Sequence, residues 1–253
     1  MKIVYKKKGQ TPLDCIKELK NNDKSLGLLP ITYAGRLDPL AEGVVLLLIG
    51  DECLKKDEYL KLDKEYEVTV LFGFATDTYD ILGKVTDVNA TSELLFKKSS
   101  DFAQSIQKIL PKFTGRIRQA YPAFSSRTVK GKALYRWARE GRLNEIEIPT
   151  HDVLVKEIEV IKKGNIKGED LLMKIENDIA LVVGDFRQQE ILTIWRDTLK
   201  NRENEIYKTI TFRISCGSGV YVRGIANDLG KELGTESLAM DIVRKRVGEY
   251  TKT

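Results

Sequence analysis

The chain has 253 residues, 42% of them apolar and 31% charged, with a formal net charge of +5; that is enough to bury a core in one large domain or two small ones. No apolar run reaches the roughly 18 residues of a membrane span, and Met1 to Lys6 lacks the apolar centre of a signal peptide, so a cytoplasmic protein is expected. Cys15, Cys53 and Cys216 are odd in number and far apart, and His151 is the single histidine; a disulfide framework is excluded, a zinc site is not expected, and His151 reads as a partly exposed strand-edge residue.

Residues 2 to 6 read as a short strand, followed by a turn at Gly9. Thr11, Pro12 and Asp14 make a capping-box-like start for a helix with Leu13, Ile16 and Leu19 on one side. Gly35 to Gly43 is a Gly/Pro-bounded loop carrying Asp38. An Asp-Pro pair is by itself usually only a turn, because Asp bonds its own backbone and Pro fixes φ. Here, however, the loop runs into Val44 to Ile49, an apolar run that suits a strand covered on both faces, where burial and neighbours can tune a carboxylate. Glu65 to Phe74 alternates Tyr66, Val68, Val70, Phe72 and Phe74 with other residues as a half-buried strand, with Gly83 to Val88 as its hairpin partner.

Thr91 to Leu110 has a helical pattern, with Leu94, Leu95, Phe102, Ile106 and Ile109 as its apolar set, and stops before Pro111. A strand, a loop and a helix from Lys132 to Glu140, closed by Gly141, are expected next. Val153 to Ile161 and Ile206 to Cys216 read as strands. Between them, Gly164 to Asn204 contains a further strand, Leu171 to Ile175, and a helix, Arg187 to Leu199. Strands interrupted by helices without regular βαβ spacing indicate an α+β fold.

Charge is concentrated in one place. Lys112 to Arg142 holds nine basic residues and one acid, a net +8, so the rest of the chain carries −3. Such a segment suits a polyanion, because neutralising phosphates releases counterions. Phe113, Tyr121, Phe124, Tyr135 and Trp137 lie among these charges, and aromatics interleaved with arginine suit looped RNA with bases free to stack, although at least one of Tyr135 and Trp137 is expected in the core.

Four separated segments then coincide with one family. Gly35-Arg36-Leu37-Asp38-Pro39-Leu40-Ala41-Glu42-Gly43 resembles the Gly-x-Leu-Asp-Pro-x-Ala-x-Gly motif of the TruB family of tRNA pseudouridine synthases. Lys64-Glu65-Tyr66 and Thr76-Asp77-Thr78-Tyr79-Asp80-Ile81-Leu82-Gly83 resemble its Lys-x-Tyr strand and Thr-Asp-Thr turn. Tyr121 to Ser126, Lys130 to Tyr135 and Ala138 to Gly141 are similar to its thumb loop and helix. Cys216 to Arg223, with Asp228-Leu229-Gly230 and Ile242 to Tyr250, resembles its Gly-x-Tyr-x-Arg and Arg-Val-Gly motifs. The order and spread, from Gly9 to Tyr250, make chance matches implausible.

The resemblance implies a pseudouridine synthase fold, a mixed, mostly antiparallel central sheet flanked by helices with a basic thumb loop, and no metal or organic cofactor. It implies conversion of uridine to pseudouridine, at uridine 55 in the T loop of tRNA, by a monomer. Asp38 is the implied catalytic carboxylate, which must stay ionised while partly buried; Arg223 is its counter-ion and Tyr66 stacks on the uracil. Tyr221 and Ile242 match nucleotide-contacting positions, and Arg127, Lys130 and Lys132 are the phosphate contacts. The chain departs from the family where Tyr33 and Arg36 stand in place of the usual His-x-Gly-Ala residues. Arg36 is expected to fill part of the vacated base stack, with Tyr33 stacking in the loop. Lys6-Lys7 replaces Lys-Pro, a change expected to matter little. Residues 1–253 are expected to be one catalytic domain with an insertion at 164–204 and no separate C-terminal RNA-binding domain. The alternatives are an RNA-binding or RNA-folding protein of the same fold with weak or no catalysis, and a synthase acting on ribosomal or messenger RNA.

Overall fold

The computed structural model describes residues 1–89 and 99–252. Numbered in chain order, the principal strands are β1 (Lys2–Lys6), β2 (Ile31–Ala34), β3 (Glu42–Ile49), β4 (Lys64–Phe72), β7 (Gly115–Ala120), β10 (Thr150–Lys167), β11 (Ile206–Cys216), β12 (Ser237–Val247) and β13 (Tyr250–Thr251). Seven lie side by side in the order β1-β3-β12-β4-β11-β10-β7, with β2 paired to β3 and β13 to β12. The β12–β3 pairing is parallel and the others are antiparallel, so the sheet is mixed and mostly antiparallel, as expected.

Alternation along each strand divides the core. Val45 and Leu47 of β3 and Val68, Val70 and Phe72 of β4 face the main core. There they meet α3 (Ser99–Ile109) through Phe102 and Ile106, and α7 (Val222–Glu232) through Ile225, Ala226 and Leu229. Val44, Leu46 and Leu48 of β3 enter a second cluster with Ala34 and Val247. The strand is therefore covered on both faces, which is why its sequence is uninterrupted by polar residues. Helix α1 (Pro12–Asn22) begins with the expected capping box: Asp14 N–H donates to Thr11 Oγ1 and Thr11 N–H to Asp14 Oδ2.

Three expectations need correction. Gly83 to Val88 is not the partner of the Glu65–Phe74 strand: Gly73, at φ +102°, ends β4, and β6 (Val85–Val88) pairs with the short β5 (Phe74–Thr76), while β4 lies between β12 and β11. Leu171 to Ile175 is helical, within α5 (Gly168–Ala180). A short apolar run fits either state, and packing of Leu171, Ile175 and Ile179 on one helix face against Trp195 of α6 (Gln188–Leu199) decides it. The thumb helix α4 (Leu134–Arg139) starts two residues later than expected, because Lys132–Ala133 pairs as β9 with β8 (Thr128–Val129). Leu94 and Leu95 lie outside the described residues. Helix α3 ends before Pro111, and no helix among the described residues is long and apolar enough to cross a membrane.

Candidate active site

Asp38 sits on the loop between β2 and β3, held by two buried cations. Lys6, fully buried at the end of β1, donates from Nζ to the carbonyls of Asp38 (3.1 Å), Pro39 (3.2 Å) and Ala41 (2.5 Å). Burial pushes its ammonium down to about 8. Arg244 of β12, 1% exposed, donates to the carbonyls of Val44 (2.8 Å), Gly35 (3.1 Å) and Arg36 (3.4 Å). Gly43 has φ +119°, and a Cβ there would overlap the backbone of Arg244, so glycine is required where β3 crosses β12. The loop is thus fixed by its own carbonyls, leaving the Asp38 carboxylate free to point outward.

It points at Arg223, in the first turn of α7. Arg223 Nε donates to Asp38 Oδ2 at 2.7 Å and Nη2 to Oδ1 at 3.2 Å, a forked pair. The two side chains differ in exposure: 4% for Arg223 against 37% for Asp38. The cation is sequestered while the carboxylate, partly buried as expected, remains reachable. Arg223 also donates to the carbonyls of Thr78 and Phe124. A second carboxylate, Asp80, lies 3.7 Å from the same Arg223 Nε. Burial alone would push the Arg223 guanidinium down; Asp38 and Asp80 together outweigh it and hold it charged.

Asp80 belongs to the turn between β5 and β6. Its Oδ1 accepts from Thr78 Oγ1 (2.7 Å) and Leu82 N–H (3.0 Å). Gly83 is needed beneath it, because a Cβ there would collide with Thr78 and Thr76. Burial pushes the Asp80 carboxyl up to about 6 against the pull of Arg223.

Tyr66 of β4 lies opposite Arg244 on one side and Ile214 on the other. Burial pushes its hydroxyl above the usual tyrosine value, with Arg244 pulling the other way. Ile242, on the same face of β12, is 5% exposed and belongs to the main core that Tyr66 packs against. Tyr221 directly precedes α7, held by a reciprocal pair with buried Gln119 of β7: Gln119 Nε2 donates to the Tyr221 carbonyl and Tyr221 N–H to Gln119 Oε1, both 2.9 Å. Tyr33 and Arg36 touch each other, Arg36 Nη2 donating to Tyr33 Oη at 3.4 Å.

Beside Tyr221 lies a shallow, open groove of about 470 Å³ walled by Tyr121, Arg127, Thr128, His151 and Tyr221. His151 stacks on Tyr121 with centroids 4.0 Å apart, and its ring nitrogens lie 3.1 Å from the Gln119 carbonyl and 3.0 Å from that of Gly219. The Arg127 guanidinium lies 5.0 Å from the centre of the Tyr121 ring. The other two thumb cations serve the thumb itself. Lys130 Nζ donates to the Glu145 carbonyl, while Lys132 pairs with Glu140 at 2.7 Å and lies 4.1 Å from the Trp137 ring centre. Among the described residues no group of three or more His, Cys, Asp or Glu side chains is placed to hold a metal ion.

The structure therefore brings Asp38, Arg223, Tyr221 and Tyr66 toward one end of the sheet, with Arg127 in the wall of the groove beside Tyr221. Sequence reasoning missed Asp80, Arg244, Gln119 and the pocket-lining His151, and it undervalued Lys6. Asp80 had a signal as part of the Thr-Asp-Thr turn, Arg244 as part of Ile242 to Tyr250 and Lys6 as the first residue of the Lys-Pro match; for Lys6 and Arg244 burial then reveals the role.

Comparison with known proteins agrees with this arrangement. Residues 24–181 match the family described as TruB family pseudouridylate synthase (N terminal domain). The chain is 28% identical over 249 residues to the tRNA pseudouridine synthase B of Protochlamydia amoebophila, covering 98% of this chain and 74% of that protein. It is 30% identical over 249 residues to that of Fusobacterium nucleatum (98% and 68%) and 31% identical over 251 residues to that of Syntrophus aciditrophicus (98% and 62%). Among solved structures, a Cbf5-Nop10-Gar1 complex matches with TM-score 0.56 at 16% identity, over 99% of this chain and 50% of that one. An H/ACA RNP bound to a substrate RNA containing 2'-deoxyuridine matches with TM-score 0.54 at 15% identity, over 99% and 49%; at these identities the likeness is one of fold. The motif order, the sheet and the sequence matches converge, and the chain belongs to the TruB family of pseudouridylate synthases.

Proposed function

We propose that this chain converts uridine to pseudouridine in tRNA, at uridine 55 of the T loop, as one catalytic domain acting as a cytoplasmic monomer. The observation that carries the reading is the forked Arg223–Asp38 pair, whose cation is buried and whose carboxylate is accessible. A protein that only bound RNA would gain nothing from presenting a carboxylate toward phosphates. The single nine-stranded sheet, running from β1 to β13, supports one domain, with the 164–204 segment as an insertion carrying α5 and α6.

The reaction detaches uracil from its ribose, turns it, and rejoins it through carbon. Asp38 is the carboxylate that meets the flipped nucleotide, and Arg223 aims it through the forked pair. RNA entering the site removes the remaining water from Asp38, which strengthens the pair at the moment it is used. Tyr66, kept neutral by burial, is the stacking platform for the base, on a floor completed by Ile242. Extruding a stacked base costs a few kcal/mol, and one aromatic stack returns about 1–3 kcal/mol. Tyr221 at the groove wall and the Tyr33–Arg36 pair supply further contacts, while Arg127 is the freer phosphate contact of the thumb, Lys130 and Lys132 being engaged by Glu145, Glu140 and Trp137.

The test is release of pseudouridine from an unmodified tRNA transcript by wild type and by Asp38→Asn. Wild-type product that disappears in the variant while RNA binding persists supports the reading; equal product, or none from wild type, sinks it. A transcript with cytidine at position 55 should give no product.

A further inference from the structure

The helical hairpin formed by α5 and α6 places Arg187 against two segments that surround Arg223. Arg187, directly before α6, donates to Asp77 through both guanidinium nitrogens, Nη1 to Oδ2 at 2.6 Å and Nη2 to Oδ1 at 3.3 Å. The same guanidinium covers the Phe124 ring, 4.2 Å from its centre. Arg187 is set at φ +63°, a left-handed conformation that residues with a Cβ seldom adopt. The connector secures it there: Arg187 N–H donates to Asp185 Oδ1 (3.3 Å), Phe186 N–H to Gln188 Oε1 (2.8 Å), and Gln188 Nε2 to the carbonyls of Val182 (3.0 Å) and Gly184 (2.7 Å).

The groups Arg187 holds are neighbours of those that orient Arg223. Asp77 precedes Thr78, whose carbonyl accepts from Arg223 Nη1, and the Phe124 carbonyl accepts from Nη2 at 3.4 Å. These carbonyls come from separate segments, the β5–β6 turn and the loop after β7, and together they fix the guanidinium whose Nε and Nη2 meet Asp38. Arg187 ties the two segments to each other. The hairpin is itself anchored near its connector. Lys8 and Lys174 each bridge Asp178 of α5 and Asp241 of β12 at 2.5–2.9 Å, and Arg139 of the thumb helix pairs with Asp185 of the connector.

We infer that Arg187 is a positioning residue: through Asp77 and Phe124 it holds the Thr78 and Phe124 carbonyls in the geometry that aims Arg223 at Asp38. The inference rests on the reading of Asp38 and Arg223 as the reacting centre. A planar fork that pairs on its edge and stacks on its face is what the position uses, so lysine is no substitute.

Single-turnover pseudouridine formation and binding of the same unmodified tRNA transcript are measured for wild type, Arg187→Ala, Arg187→Lys and Arg196→Ala. Arg196 pairs with Glu176 at 2.7 Å within the same hairpin and faces solvent, so it controls for general loosening of the hairpin. Misaiming a reacting group by about 1 Å can cost about a hundredfold, so Arg187→Ala should slow the chemical step about ten- to hundredfold while Kd for the transcript stays within about twofold. Arg187→Lys should also be slowed, and Arg196→Ala should match wild type. A wild-type rate in Arg187→Ala overturns the proposal. So does an equal loss in Arg196→Ala, or an effect confined to Kd, which would make Arg187 an RNA contact. If Arg187→Ala does not fold, Arg187→Lys decides, and a wild-type rate in it overturns the proposal. Full activity in Asp38→Asn on the same transcript would instead overturn the underlying reading, and the positioning role with it.

Discussion

Asp80 offers the sharpest test of how the site balances its charges. It is 8% exposed, its Oδ1 is committed to Thr78 and Leu82, and its Oδ2 lies 3.7 Å from Arg223 Nε. Burial outweighs the pull of Arg223 and moves the carboxyl from 3.8 to about 6. A raised carboxyl pKa means that folding penalises the ionised form. The group's favourable contribution is whole below about pH 4 and is lost as the pH rises through about 6. Roughly two units at about 1.36 kcal/mol each give a penalty on the order of 3 kcal/mol at about pH 7.5. Asp80→Asn keeps the shape and the Oδ1 acceptor and removes the charge. In urea titrations it should be more stable than wild type by about 1–3 kcal/mol at about pH 7.5, with the advantage vanishing near about pH 4. Pseudouridine formation should fall in the same variant, because Arg223 loses one of the two carboxylates beside it. A variant no more stable than wild type at the higher pH, or one whose difference does not change with pH, would refute the reasoning.

Other perturbations follow from the same geometry. Lys6→Met preserves bulk but removes the charged donor from the carbonyls of Asp38, Pro39 and Ala41; unfolding should show a loss of about 2–4 kcal/mol at neutral pH, and a change under about 0.5 kcal/mol would mean that the ammonium does not anchor the loop. Arg127→Ala should lower the slope of log Kd for tRNA against log salt by about 0.7–0.9, the share of one phosphate contact. Lys132→Ala, whose ammonium is already engaged by Glu140 and Trp137, should change that slope much less. Equal slopes for the two variants would argue against Arg127 as the freer phosphate ligand.

Much of this protein could be read locally. The capping box at Thr11, the uninterrupted apolar run of β3 and the alternation of β4 reflect backbone chemistry and burial periods that act within a few residues. The Asp38 loop and the Arg223 segment were recognisable because their motifs are short and contiguous. The helical state of Leu171 to Ile175 was not legible, since a five-residue apolar stretch satisfies both periods until Trp195 packs against it. Nor was the partner of β4, because pairing across the sheet is chosen by registers far apart in the chain.

The amino-acid sequence by itself determined the family, the α+β class and the concentration of positive charge between Lys112 and Arg142. The Arg223–Asp38 pair was expected from the resemblance; tertiary structure alone decided that Asp80 lies beside the same guanidinium, and that Lys6 and Arg244 are buried under the Asp38 loop. The physical reason is that composition and spacing encode what a residue can do. The desolvation and pairing of a charge depend on which distant surfaces close around it, and those exist only once the sheet has formed.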